Sequence, residues 1–123
     1  MSSKQPATKP NNALLTTEEA IEKYSNAIKS EPTAVNYLEL GAAYYVAKRW
    51  EDAVKAFEAT VEKDPKQAFA YYYLGILNAA LGNRDKANDA LTQVLQISNN
   101  QMLKDQARAR IPNISSVHDL GGN

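Results

Sequence analysis

His118 is the only histidine of the chain and stands beside Asp119, a pairing that could pass a proton near neutral pH. Proton transfer needs a reacting group held close by. The surrounding SSVHDLGGN has no periodicity and two glycines, so no nucleophile has a fixed place beside it. Metal ligation would need clustered donors. The carboxylates that cluster, Glu18, Glu19 and Glu22 and then Glu51 and Asp52, stand at helix starts, where they favour the helix dipole and stay solvated. The absence of cysteine removes disulfides, thiol nucleophiles and thiolate metal sites, and no glycine-rich loop precedes a helix at phosphate-binding spacing. The sequence therefore assigns no catalytic residue, no metal and no cofactor, and reads as that of a protein that is not an enzyme.

Charge narrows the partners further. Fourteen Lys+Arg balance fourteen Asp+Glu over 123 residues, and no run holds more than two adjacent basic side chains, so no basic face is available for nucleic acid. No stretch approaches the ~18 consecutive apolar residues that mark a membrane span, and MSSKQPATKPNN lacks the apolar core of a secretory signal. The chain as given reads as soluble, without direct membrane insertion, which favours the cytoplasm but leaves the compartment unassigned.

What remains is apolar and aromatic chemistry, and it is laid out on helices. Residues 1–15 form a polar, proline-containing leader that cannot bury a core, read here as disordered. Thr16 followed by Glu19 is a capping box opening a helix over 16–30, with Ala20, Ile21, Tyr24, Ala27 and Ile28 at helical spacing. Pro32 closes it and Thr33 caps the next. Four further runs follow: Ala34, Tyr37, Leu40, Gly41, Tyr44; then Ala53, Val54, Phe57, Thr60, Val61; then Ala68, Tyr71, Leu74, Gly75, Asn78; then Ala87, Ala90, Leu91, Val94, Leu95. A short sixth run, Met102, Leu103, Ala107 and Ile111, is expected to end at Pro112, with 112–123 a disordered tail. No segment alternates strictly with period two, so the class is all-α, five or six antiparallel helices joined by short links.

The runs repeat. Sliding the sequence by 34 superposes Ala34, Tyr37, Leu40, Gly41 and Ala53 on Ala68, Tyr71, Leu74, Gly75 and Ala87, and a shift of 33 superposes Ala20, Tyr24 and Ala27 on Ala53, Phe57 and Thr60. In this pattern the chain resembles the tetratricopeptide repeat family. Residues 34–67 carry Tyr37, Leu40, Gly41, Tyr44, Ala53, Phe57 and Pro65 at seven of eight signature sites, with Thr60 where a small Ala is usual. Residues 68–101 keep Tyr71, Leu74, Gly75 and Ala87 but have Asn78, Leu91, Val94 and Asn99 at the other sites. The resemblance implies a right-handed helix-hairpin solenoid over 16–111: a half unit 16–33, full units 34–67 and 68–101, and a capping helix 102–111.

The resemblance also implies that the first helix of each pair lines a concave binding face, and that the function is protein–protein interaction, as an adaptor or scaffold. After the packing residues are set aside, the first helices leave Val35, Leu38, Glu39, Ala42 and Tyr45, then Phe69, Tyr72, Tyr73 and Ile76, as an apolar groove for a peptide or helix of a protein partner. The family's grip on an acidic peptide C-terminus uses Lys, Asn and Arg; the corresponding sites here are Leu38, Ala42, Tyr73 and, with a unit starting at Met102, Leu103 and Ala107, none of which holds a carboxylate. Two alternatives stay open: the same surface is covered by the leader, the tail or a second copy, making the domain a homo-oligomerisation element, or the chain is the interaction domain of a larger or membrane-anchored protein.

Overall fold

The computed structural model describes residues 15–122, with side chains described through Ile111; residues 1–14, most of the expected leader, lie outside the described residues. Six helices are present among them: α1 (Thr17–Ser30), α2 (Ala34–Val46), α3 (Trp50–Lys63), α4 (Ala68–Ala80), α5 (Arg84–Ile97) and α6 (Gln101–Gly122). No described residue lies in a strand. Each helix packs on the next, and α6 also touches α4, so the chain is a stack of helical hairpins. Among the described residues no helix is long and apolar enough to cross a membrane.

Local chemistry explains the breaks. The capping box of α1 is formed: the Glu19 N–H donates to Thr16 Oγ1 at 3.1 Å and the Thr16 N–H to Glu19 Oε1 at 3.0 Å. Thr33 Oγ1 accepts from the Asn36 N–H, and Asn100 Oδ1 from the Leu103 N–H, which caps α2 and α6 in the same way. The α2–α3 and α4–α5 turns are Schellman motifs. In the first, the N–H groups of Lys48 and Arg49 donate to the carbonyls of Tyr45 and Tyr44; in the second, those of Gly82 and Asn83 donate to Ala79 and Asn78.

Two buried clusters run through the stack. Ala53, Phe57, Ala70, Leu74, Leu77 and Ala90 join α3, α4 and α5, and Tyr72, Ala87, Leu91, Val94, Leu103 and Ala107 join α4, α5 and α6. The glycines lie at the helix crossings, where Gly41 meets the Phe57 ring and Gly75 meets Leu91.

The sixth helix departs from expectation. It is 22 residues long and continues through Pro112, where the sequence reading ends it and begins a tail. Proline fixes φ near the helical value and its missing N–H removes one hydrogen bond; Ile111, just before it, is packed against the Tyr72 and Leu91 cluster. Tertiary packing here overrides the preference of a residue preceding proline for extended backbone.

Candidate interaction face

The first helices α2, α4 and α6 lie in one register. Val35, Phe69 and Met102 are each the second residue of their helix, and they are 63%, 47% and 69% exposed. Deeper along α2 and α4 the apolar residues are taken up by packing. Leu38 is half-buried against the Phe57 cluster, as is Tyr73, whose ring stacks on Phe57 with centroids 5.0 Å apart and planes 8° from parallel. Tyr45 meets Tyr73 at 5.1 Å and Trp50 edge-on at 5.6 Å, and Tyr73 meets Tyr72 edge-on at 6.0 Å. Four rings from three helices therefore form one continuous row, Trp50, Tyr45, Tyr73 and Tyr72.

Tyr72 is nearly buried. It is 9% exposed, its hydroxyl accepts from Arg110 Nε at 3.0 Å, and the guanidinium carbon lies 5.7 Å from the ring centroid. Ile76 is half-buried against the same cluster. Helix α6 thus covers the part of the groove where the sequence reading expected Tyr72 and Ile76 to be free. Glu39 and Ala42 stand apart from the aromatic row: together with Leu15, Tyr24, Ala43 and Val46 they line a cleft of about 340 Å³ between α1 and α2.

Two residues of this face were missed from sequence. Trp50 opens α3 five positions after Tyr45, and its counterparts in the other units are Thr17 and Arg84, so the repeat gave no sign of it. The sequence places Met102 at the start of a unit; in the structure it is the second residue of α6, equivalent to Val35 and Phe69. Leu103 and Ala107, set at clamp sites by that register, are buried against α4 and α5. Among the described residues no three His, Cys, Asp or Glu side chains are grouped as a metal site, and the His118 side chain lies outside those described. The face offers apolar area, ring faces and phenolic hydroxyls.

A family model described as tetratricopeptide repeat matches residues 17–68 and again 38–101. The chain belongs to the tetratricopeptide repeat family. Small glutamine-rich tetratricopeptide repeat-containing protein 2 of Saccharomyces cerevisiae is 38% identical over 81 residues, 65% of this chain and 23% of that protein. Superkiller protein 3 of the same yeast is 29% identical over 79 residues, 63% of this chain and 6% of that protein. The chain spans less than a quarter of the length of either relative. Among solved structures, the first tetratricopeptide repeat domain of Spaghetti, bound to the HSP90 peptide SRMEEVD, has a TM-score of 0.75 at 22% identity, covering 84% of this chain and 80% of that one. A crystal structure of MamA protein also has a TM-score of 0.75, at 26% identity, covering 83% and 55%. The fold is that of a tetratricopeptide helix-hairpin solenoid, with α1 and α6 at its ends.

Proposed function

We propose that this chain is a non-catalytic protein–protein interaction module that offers an apolar ladder on its first helices to a peptide or helix of a partner protein. The observation that carries the reading is the equivalence of Val35, Phe69 and Met102: three of the exposed large apolar side chains recur at one position of α2, α4 and α6, where a soluble surface has no structural use for them. The half-buried rings of Tyr45 and Tyr73 on the same two helices add rigid aromatic area with few rotors to freeze. Leu38, Ala42 and Tyr73 at the carboxylate-gripping sites fit an apolar segment rather than an acidic terminus such as that of SRMEEVD, the peptide held by the Spaghetti domain.

Affinity capture from the source cell tests this. Val35→Asp with Phe69→Asp replaces two exposed side chains, so stability is expected to change by no more than about 0.5 kcal/mol each. The proteins retained by the wild type should be lost by the double variant. Retention of the same proteins by both would move the binding face elsewhere.

A further inference from the structure

Arg110 is not placed like the arginines that form ion pairs. Arg49 and Arg108 pair with Asp52 and Asp105, three residues away in sequence, at 2.7 Å and 3.2 Å. Arg110 instead reaches across to α4, where its Nε–H donates to the Tyr72 hydroxyl at 3.0 Å. Its two terminal amino groups have no hydrogen-bond or ion-pair partner among the described residues. The side chain borders a cleft of about 410 Å³ lined by Tyr72, Gln106, Ala109 and Arg110, with no acid among them. The repeat has no structural need of a charge here. In the register that aligns Phe69 with Met102, Arg110 stands where α4 has Leu77, and Tyr72 stands where α2 has Leu38. Leu77 is fully buried and Leu38 packs against the same cluster around Phe57, so one unit earlier the equivalent positions are filled by two aliphatic side chains.

We propose that Arg110, held by Tyr72, is a carboxylate subsite at the α6 end of the interaction face, and that it selects a partner segment carrying one Asp or Glu beside its apolar residues. The inference rests on the ladder of Val35, Phe69 and Met102 being the binding face. Gln106 lies four residues beyond Met102 on α6 and Arg110 eight, so by helical rise the cleft lies about 6–12 Å along α6 from the ladder. A segment seated on Met102 covers that distance with about two to four extended residues. The bond at Nε fixes the plane of the guanidinium, and the remaining edge presents two parallel N–H groups, which match the two oxygens of a carboxylate. A phosphate group is ordinarily met by a cluster of basic side chains, and the cleft is lined by one.

The probe is a library of displayed random peptides, selected on the full chain and on its Arg110→Glu variant. Peptides enriched by the wild type should share apolar residues and an Asp or Glu at a fixed distance from them. On Arg110→Glu that one position should change to Lys or Arg while the apolar residues stay. With a synthetic copy of an enriched peptide, Arg110→Gln and replacement of the peptide's acid by its amide should each weaken binding roughly three- to tenfold, and both together no more than either alone. A merely structural role of the Tyr72 bond would weaken the acidic and the amide peptide equally, so the non-additivity marks a ligand contact. Arg110 is exposed, and circular dichroism checks that its variants keep their helicity. Enriched peptides without an acid overturn the proposal, as does an acid preference that survives Arg110→Glu; if those peptides are still lost with Phe69→Asp, the interaction face itself stands. No enrichment by the wild type overturns both. A change in sedimentation of the chain alone on Arg110→Glu also overturns the proposal, by making a second copy the source of the carboxylate.

Discussion

Gly41 and Gly75 are held by space rather than by backbone conformation. A β-carbon at Gly41 would lie 2.7 Å from Phe57 Cε1 and 2.8 Å from Cδ1, and one at Gly75 would lie 2.5 Å from Leu91 Cγ and Cδ2. The Phe57 ring cannot swing away, since it is fully buried and stacked on Tyr73. Alanine gains ~1 kcal/mol of helix propensity over glycine, but overpacking a rigid core costs about 1–3 kcal/mol. Gly41→Ala is therefore expected to destabilise the domain by up to about 2 kcal/mol in urea unfolding, against its propensity. A rise in the urea midpoint would show that the close approach is not what keeps glycine there. The residues that depart from the family pattern are satisfied by local bonds. Buried Thr60 donates its hydroxyl to the Ala56 carbonyl at 2.9 Å. Buried Asn78, in place of Tyr, donates to the Leu74 carbonyl at 2.9 Å and accepts from Asn83 Nδ2 at 3.2 Å, tying α4 to the turn that follows it.

That turn and its partner 34 residues earlier differ in one informative respect. Gly82 holds the left-handed position with φ of 87°, whereas Lys48 occupies it in the α2–α3 turn with φ of 63°. An L side chain pays roughly 1–2 kcal/mol in that region, and part of this is returned when glycine loosens the unfolded chain. Lys48→Gly should then stabilise the domain by about 0.5–1 kcal/mol, read as a higher Tm; no gain would mean that the Lys48 side chain supplies a compensating contact. Nothing in the residue type announced this turn, and the sequence showed only a charged break at Lys48 and Arg49. The helices themselves were legible because their apolar residues recur at three-to-four spacing, and the caps because Thr16 and Thr33 stand at fixed offsets from what they bind. Two features were not. The continuation of α6 through Pro112 depends on Ile111 packing against a cluster built from α4 and α5, which local preference cannot register. The closure over Tyr72 depends on Arg110, which is 38 residues away in sequence and has no counterpart in the repeat. Val35 and Phe69 are exposed, while the register of Met102 needed the observed start of α6.

Among the described residues, the two ends of the stack are not equally buried. Helix α6 buries Leu103 and Ala107 in a cluster with Tyr72, Ala87, Leu91 and Val94, and turns Lys104, Asp105 and Arg108 away from that cluster. Helix α1 buries nothing completely and keeps Ala20, Tyr24 and Ala27 partly exposed. In a solenoid, stability is close to a sum of unit and nearest-neighbour terms, so removing an end costs what that end buries. A chain lacking residues 101–123 exposes the fully buried Leu91 and Val94, where losing the packing around even one large core side chain costs about 2–5 kcal/mol, a large part of the ~5–15 kcal/mol available to a domain. It should lose cooperative unfolding altogether. A chain lacking residues 1–30 gives up fewer buried contacts and should still unfold in one transition, with a midpoint lower than the parent's. Urea unfolding of the two truncations, followed by circular dichroism, decides the point. The opposite order, with α1 indispensable and α6 dispensable, would mean that the half-buried face of α1 contributes more to the stack than its exposure allows.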